Sequence, residues 1–244
     1  MKRFYKAVAI AIAAFMTTNV QAQDETKYVK VETDQTDWSG EYLIVYEADD
    51  ENNIAYVFDG SRTELDKKNN FIELSNTKQE INGAEGRTIN PSAEADGATF
   101  TITKSAKEGL YNIKSKSGYW IGFDSTEKDP ETGEIEPDIE SSNETPIDNS
   151  IAMQEGKTNI VITATNGFEL RFNADEGKTR FRYHASGKKK AIKFYKKTTV
   201  SPTTAINTVS ATTTNTQVYD LQGRSVSTTQ PGHLYIENGK KVIK

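Results

Sequence analysis

The sequence predicts an all-β protein: a β-trefoil-like or irregular β-barrel domain, followed by a small three-stranded carboxy-terminal unit. Three observations carry that prediction. Apolar and polar residues alternate along most of the chain, as in Ala98-Thr99-Phe100-Thr101-Ile102-Thr103 and Phe168-Glu169-Leu170-Arg171-Phe172. Such alternation marks half-buried strands, because neighbouring side chains point to opposite faces. Gly, Asn, Asp and Ser turns separate these runs, among them Asn82-Gly83, Ser117-Gly118, Asn166-Gly167 and Ser186-Gly187, and such pairs tolerate the positive φ of tight hairpins. No stretch of helical length carries an apolar period of 3.6 residues.

Residues 1–22 read as a secretory signal peptide. Lys2, Arg3 and Lys6 precede an apolar run from Ala7 to Met16, and Val20-Gln21-Ala22 offers a small-residue cleavage site between Ala22 and Gln23. The run is half of the roughly 20 residues that a helix needs to span a bilayer, so no integral membrane segment is expected after signal removal. The 244-residue chain has no cysteine, which excludes disulfides, thiol nucleophiles, cysteine metal ligands and lipid attachment through a cleavage-site thiol. Removing residues 1–22 takes away three positive charges and no negative ones, so the net charge moves from −5 to −8. Nucleic acid is therefore not an expected partner, since its phosphates call for a basic surface.

Residues 23–197 form the predicted all-β domain. Strands are expected near 28–32, 42–47, 54–58, 71–75, 87–90, 98–104, 109–115, 119–123, 150–154, 158–164, 168–173, 179–184 and 191–196. Three uneven units, each a strand, a polar turn and an aromatic-rich strand, begin at Tyr42, Leu110 and Ile160. They suit a trefoil, while an irregular barrel or a sandwich accommodates the same strands. Asp37-Trp38-Ser39-Gly40 reads as a turn whose tryptophan caps the barrel. Residues 124–149 interrupt the pattern with many carboxylates, Lys128 as the one cation, and Pro130, Pro137 and Pro146. Self-repulsion and scarce apolar side chains predict an exposed, mobile loop there. Oxygen ligands alternate from Asp129 to Glu136 without the residue order of an EF-hand, so no metal site is assigned and no cofactor is expected.

Residues 198–216 are dominated by Thr and read as a linker. Residues 217–244 then give three short apolar segments, separated by turns at Gln222-Gly223, Pro231-Gly232 and Asn238-Gly239. This final unit is too small to be stable without packing on something.

Nothing in the sequence announces catalysis. There is no Gly-x-Ser-x-Gly, no His-Glu-x-x-His and no phosphate-binding glycine loop. His184 and His233 lie in different units, and His184 reads as a surface histidine at a strand end. The chain is therefore expected not to be an enzyme. The candidate ligand-binding residues are Tyr119, Trp120, Arg171, Arg180, Arg182 and Tyr183. Aromatic rings stack on sugar faces, and guanidinium groups bind carboxylates or hydroxyls in pairs. Alternation sends Phe172 and Phe181 to the core and puts Arg171, Arg180 and Arg182 on one outer face. Cross-strand ion pairs with Glu169 and its neighbours are the structural alternative for the arginines.

Two resemblances add to this reading. The segment VYDLQGRSV…PGHLYIENGKKVIK resembles the type IX-like C-terminal sorting domain of secreted Bacteroidota proteins. Tyr219, Asp220, Leu221, Gly223, Arg224, Gly232, Tyr235, Ile236, Gly239 and Lys240 carry the match, over about 30 residues at the size of a minimal three-stranded sheet. The resemblance implies an address to the outer surface or medium, with the periplasm as fallback. The segments DWSGEYLIVYE, AYVFDGS, ATFTI, GYWIGFD, FELRFN, TRFRYH and KKAIKFYKK resemble a β-rich accessory module of extracellular proteins from the same bacteria, one without an established activity. Together these observations predict a secreted, non-enzymatic β module whose partner is a glycan or another cell-surface polymer. A structural or protein-interaction component that meets an envelope protein is one alternative, and a carboxylate-based hydrolase another.

Overall fold

A computed structural model describes residues 25–49, 53–81, 84–200, 218–237 and 240–243. The signal and its cleavage site at Ala22 and Gln23, residues 201–216 of the Thr-rich stretch, Gln217, the Asn82-Gly83 turn and Gly239 lie outside the described residues. The chain divides into two units, Met1–Thr203 and Thr204–Lys244.

The first unit is all-β. Its strands are β1 (Glu25–Lys30), β2 (Gly40–Asp49), β3 (Ile54–Phe58), β4 (Phe71–Ile81), β5 (Ala84–Ile89), β6 (Phe100–Lys104), β7 (Tyr111–Ser115), β8 (Trp120–Gly122), β9 (Glu140–Ser142), β10 (Asp148–Met153), β11 (Ile160–Ala164), β12 (Glu169–Asn173), β13 (Arg180–His184) and β14 (Lys193–Val200). Each expected strand overlaps an observed one, and β9 is additional. Of the two expected architectures, the irregular barrel is the one formed. The meander β2-β3-β4-β5 pairs onward to β1, β1 to β14, and β14 back to β2, so six antiparallel strands close a barrel. From β2 a second run extends outward in the order β6-β7-β10-β11-β12-β13, with β8 on β7 and β9 on β8. Bridges Ile160↔Ile192 and Phe172↔Lys190 curl this sheet back toward the entry of β14.

Strand alternation explains the two cores. Leu43 and Val45 of β2, Ala55 and Val57 of β3, Ile89, Tyr28 and Tyr195 fill the barrel. The opposite faces of the same strands, with Tyr42, Ile44, Phe58 and Phe194, pack against Ile113, Ile121, Ile162, Phe172 and Phe181 of the second sheet. A strand buried on both faces reads as a continuous apolar run, which is why Tyr42-Leu43-Ile44-Val45 lacks alternation. Trp38 is buried against Phe194, with ring centroids 5.7 Å apart, and its amide donates to the Tyr111 hydroxyl. It thus belongs to the core between the two sheets and not to the barrel interior, which the sequence predicts it to cap.

Polar networks line the barrel interior. Glu47 accepts from Lys30 at 2.9 Å and from the Tyr195 hydroxyl at 2.7 Å; Asn76 donates to that hydroxyl and accepts from Arg87. A short helix, α1 (Ala93–Gly97), contributes Ala95 to the barrel core. Its Asp96 accepts from the Tyr28 hydroxyl and from Lys197. Ser92 begins the helix by accepting from the Ala95 amide, an ordinary N-cap.

The linker boundary and the acidic stretch need correction. β14 runs on to Val200, where Val200 pairs with Glu25, so Thr198–Val200 belong to the barrel rather than to a linker. β-branched side chains suit a strand that has a partner waiting. The acidic stretch 124–149 is not a free loop, as its contacts below show.

The second unit is a four-stranded sheet where three strands were expected: β15 (Val218–Tyr219), β16 (Ser225–Val226), β17 (Leu234–Glu237) and β18 (Lys240–Ile243), ordered β16-β15-β17-β18. Asp220 makes the extra strand possible. Its carboxylate accepts from the amides of Gln222 and Arg224 and from Arg224 Nε at 2.7 Å, while Gly223 takes a φ of +77°. The Tyr219–Arg224 motif is thus a structured turn that lays Ser225 and Val226 beside β15, with Lys240 opening β18 opposite Glu237. Tyr219, Leu221 and Ile243 are exposed.

Candidate binding cleft

The β12–β13 hairpin has two chemically distinct faces. The register sets Arg171 opposite Arg182, Phe172 opposite Phe181 and Glu169 opposite His184. Leu170, Phe172, Phe181 and Tyr183 point into the core and are fully buried. Glu169, Arg171, Asn173, Arg180, Arg182 and His184 therefore share the outer face, as alternation requires.

Other elements cover that outer face. The β3–β4 loop docks through Asn70, which accepts from the Phe181 amide at 2.8 Å and donates to its carbonyl at 2.9 Å. The same loop presents Asp66, whose two oxygens take Nε and Nη2 of Arg182, each at 2.7 Å. Arg180 donates to the Asp66 carbonyl. Burial raises the Asp66 carboxyl above its usual range despite the Arg182 hydrogen bonds. Arg171 is buried and ion-paired with Glu169, which also accepts from Ser186 at 2.6 Å. Burial pushes Glu169 upward, yet the bonds from Ser186 and Arg171 outweigh it and hold the carboxyl below its usual range.

The acidic stretch forms a strap beside the hairpin. Ile139 is buried and Ile135 packs against the core. The Tyr183 amide donates to the Asp138 carbonyl, and the Asp138 carboxylate lies 3.5 Å from Arg182. Glu140 accepts from the amides of Asp124 and Ser125, closing the neck of the strap. Asp129 accepts from the amides of Glu131 and Thr132, so its carboxylate organises a turn. Two isoleucines four residues apart and a few backbone bonds thus hold to the core a segment whose charge predicted a free loop.

A cleft of about 350 Å³ lies between this strap, the start of β12 and the turn after β13. Lys128, Glu134, Ile135 and Pro137 come from the strap, and Phe168, His184 and Lys188 from the hairpin side. The Phe168 ring is fixed edge-on by Phe123 at 5.2 Å. His184 is 6% exposed, and its Nε2 is buried with no hydrogen-bond partner among the described residues. Burial first, then the charges of Lys189, Arg182 and Arg180, lower its pKa to about 4. At neutral pH it is an uncharged ring that can donate or accept one hydrogen bond. The surface histidine expected from sequence is therefore a buried cleft residue. A wider depression of about 580 Å³ lies between Glu32–Asp34 and Met153–Thr158, with no aromatic side chain in its wall.

The predicted binding residues do not make one site. Tyr183 shares the inward parity of Phe181 and is spent on the core, its hydroxyl donating to Asn149 at 2.7 Å. Arg171, Arg180 and Arg182 do share a face, but they bond within the protein, which is the structural alternative read from sequence. Tyr119 and Trp120 sit at the start of β8, half-buried, with Lys114 Nζ 4.7 Å above the Trp120 ring; neither lines the cleft. Sequence reasoning missed Phe168, although its spacing from Leu170 and Phe172 marks it as inward-facing. Nothing local marked the strap residues as its neighbours.

Among the described residues no group of three or more potential ligands could hold a metal ion, and no helix is long and apolar enough to cross a membrane. Comparison with protein-family models, with curated proteins and with solved structures found no match to this chain.

Proposed function

We propose that this protein is an exported, non-enzymatic binding module that holds a glycan or another cell-surface polymer in the cleft between the acidic strap and the β12–β13 hairpin. One observation carries the reading: an apolar wall of Phe168, Ile135 and Pro137 stands beside a buried imidazole whose Nε2 lacks a partner. Unsatisfied buried polar atoms are costly; Tyr42, Thr88 and Arg180 carry others among the described residues, but this one belongs to a residue of the cleft wall, where a small shift of the ring would bring it to a ligand hydroxyl. Ligand pockets commonly span 300–1,000 Å³ and combine apolar walls with a few placed polar groups, so 350 Å³ suits one or two sugar residues. The non-catalytic reading rests on how the carboxylates are used: Asp66, Glu140, Glu169 and Glu47 all hold structure in place. The amino-terminal signal motif and the Tyr219–Arg224 turn support export and surface delivery as parts of the same proposal.

The test is retention on a polysaccharide array by the chain without residues 1–22. Retention is expected for the parent and is expected to disappear in Phe168→Ala. No retention on any polysaccharide, with recovery of a single envelope protein instead, would replace this reading with the protein-interaction one.

A further inference from the structure

We infer that the cleft selects an acidic saccharide, its bound residue being a sugar that carries a carboxylate, such as a uronic acid; this rests on the binding-module reading above. The wall presents four polar side chains: Lys128, Lys188, Glu134 and His184. Among the described residues neither Lys128 nor Lys188 is ion-paired, whereas the adjacent Lys189 is held by Asp175. Both lysines are exposed and flank an apolar floor. With His184 uncharged, the wall carries two positive charges and one negative. Its local sign is opposite to the net charge of −5 on the whole chain.

That inventory fits a carboxylated sugar group by group. The carboxylate accepts from the ammonium groups of Lys128 and Lys188, and charge-assisted bonds of this kind are about twice as strong as neutral ones. Ring hydroxyls donate to Glu134, which has no use for a second carboxylate beside it. One hydroxyl pairs with His184 Nε2, either as donor or as acceptor. The apolar ring face lies against Phe168, Ile135 and Pro137. A neutral sugar would leave the two lysines without a matching anion, and a purely anionic ligand such as sulfate would leave the apolar floor and His184 unused. The other carboxylates of the strap, including Glu131 and Glu136, are exposed. Exposed to solvent and outside the cleft lining, they act on a bound anion through water, whereas the two lysines stand in the wall itself.

The experiment uses the full chain without residues 1–22 and isothermal titration with a probe panel. The panel comprises trisaccharides of galacturonate, glucuronate and mannuronate, each paired with its carboxyl-reduced neutral counterpart. At least one uronate is expected to bind at least about tenfold more tightly than its reduced counterpart. Lys128→Gln and Lys188→Gln, both at exposed positions, are each expected to lower that affinity by about tenfold, the worth of one charge-assisted hydrogen bond, while leaving the thermal midpoint unchanged. Equal affinity for a uronate and its reduced counterpart, insensitive to both lysine changes, would overturn the acidic-sugar inference and leave the binding module standing. Binding by no member of the panel would overturn the inference too. In that case the array of the preceding section, which carries neutral and non-uronate polymers as well, decides separately whether the binding-module reading survives.

Discussion

The barrel interior and the outer face of the β12–β13 hairpin both bury charged groups, but they finish the task differently. In the barrel, Lys30, Glu47, Tyr195, Asn76 and Arg87 form a chain of hydrogen bonds, each residue bonded to the next. On the hairpin, Arg182 and Arg171 are matched by Asp66 and Glu169, yet His184 at the end of the same face, in the wall of the cleft, keeps a buried Nε2 without a partner among the described residues. A fully satisfied polar network rigidifies, whereas an unpaired buried atom carries a cost that a newly arriving partner would relieve. Burial alone therefore does not mark a site in this protein, and neither does a missing partner alone, since buried Tyr42 Oη, Thr88 Oγ1 and Arg180 Nε also lack one among the described residues; His184 combines a missing partner with a place in the cleft wall.

The comparison is broken most forcefully from the barrel side. Glu47→Ala leaves Lys30 and the Tyr195 hydroxyl buried without their acceptor, a loss expected to cost about 3–5 kcal/mol. Asp66→Ala removes a partner that is more exposed, 26% against 13% for the Glu47 side chain, and about 1–3 kcal/mol is expected. Urea unfolding of the two variants should rank them in that order; the reverse order would mean that the hairpin face, and not the barrel, holds the costlier charges.

A second prediction uses pH. The folded His184 pKa of about 4 lies below its ordinary value of 6.5, so the unfolded chain takes up the proton first. Stability is unaffected by this group above pH 6.5 and falls as pH drops from there toward 4. The whole effect is about 3 kcal/mol at 1.36 kcal/mol per pKa unit. Other carboxyls titrate in the same range, so the quantity to measure is the difference between the parent and His184→Phe, by urea unfolding at pH 7, 5.5 and 4. A difference that stays constant with pH would show that the imidazole is solvated.

Smaller effects sharpen the picture. At Gly122 an added Cβ would collide with Ile147, so Gly122→Ala should cost about 1–3 kcal/mol through overpacking and should loosen the entry to the strap. Phe168→Ala removes a half-buried ring that touches Phe123. It should cost no more than about 1.5 kcal/mol while abolishing retention on polysaccharide. A large stability loss with unchanged retention would make Phe168 a core residue and nothing more.

Much of this fold was readable because its signal is local. Alternation placed Phe172 and Phe181 inside and the three arginines outside. The same rule, applied to the end of β13, would have removed Tyr183 from the binding set. What was not readable depends on contacts distant in sequence. Asp66 reaches Arg182 across 116 residues, and no feature near either residue names the other. Ile135 and Ile139 anchor a segment whose composition argues for disorder, because composition averages over the two side chains that matter. Burial of His184 follows from the strap and the hairpin together, so neither segment alone could disclose it.

The central claim is that His184 marks the binding cleft. It is tested most directly by following the imidazole nitrogens of His184 by nuclear magnetic resonance at pH 7 while the uronate trisaccharide that binds most tightly is added. The account predicts a saturable shift of Nε2, with the ring remaining uncharged and the shift tracking the calorimetric binding curve. Saturation of binding with the His184 nitrogens unmoved would place the ligand elsewhere on the protein and contradict the claim.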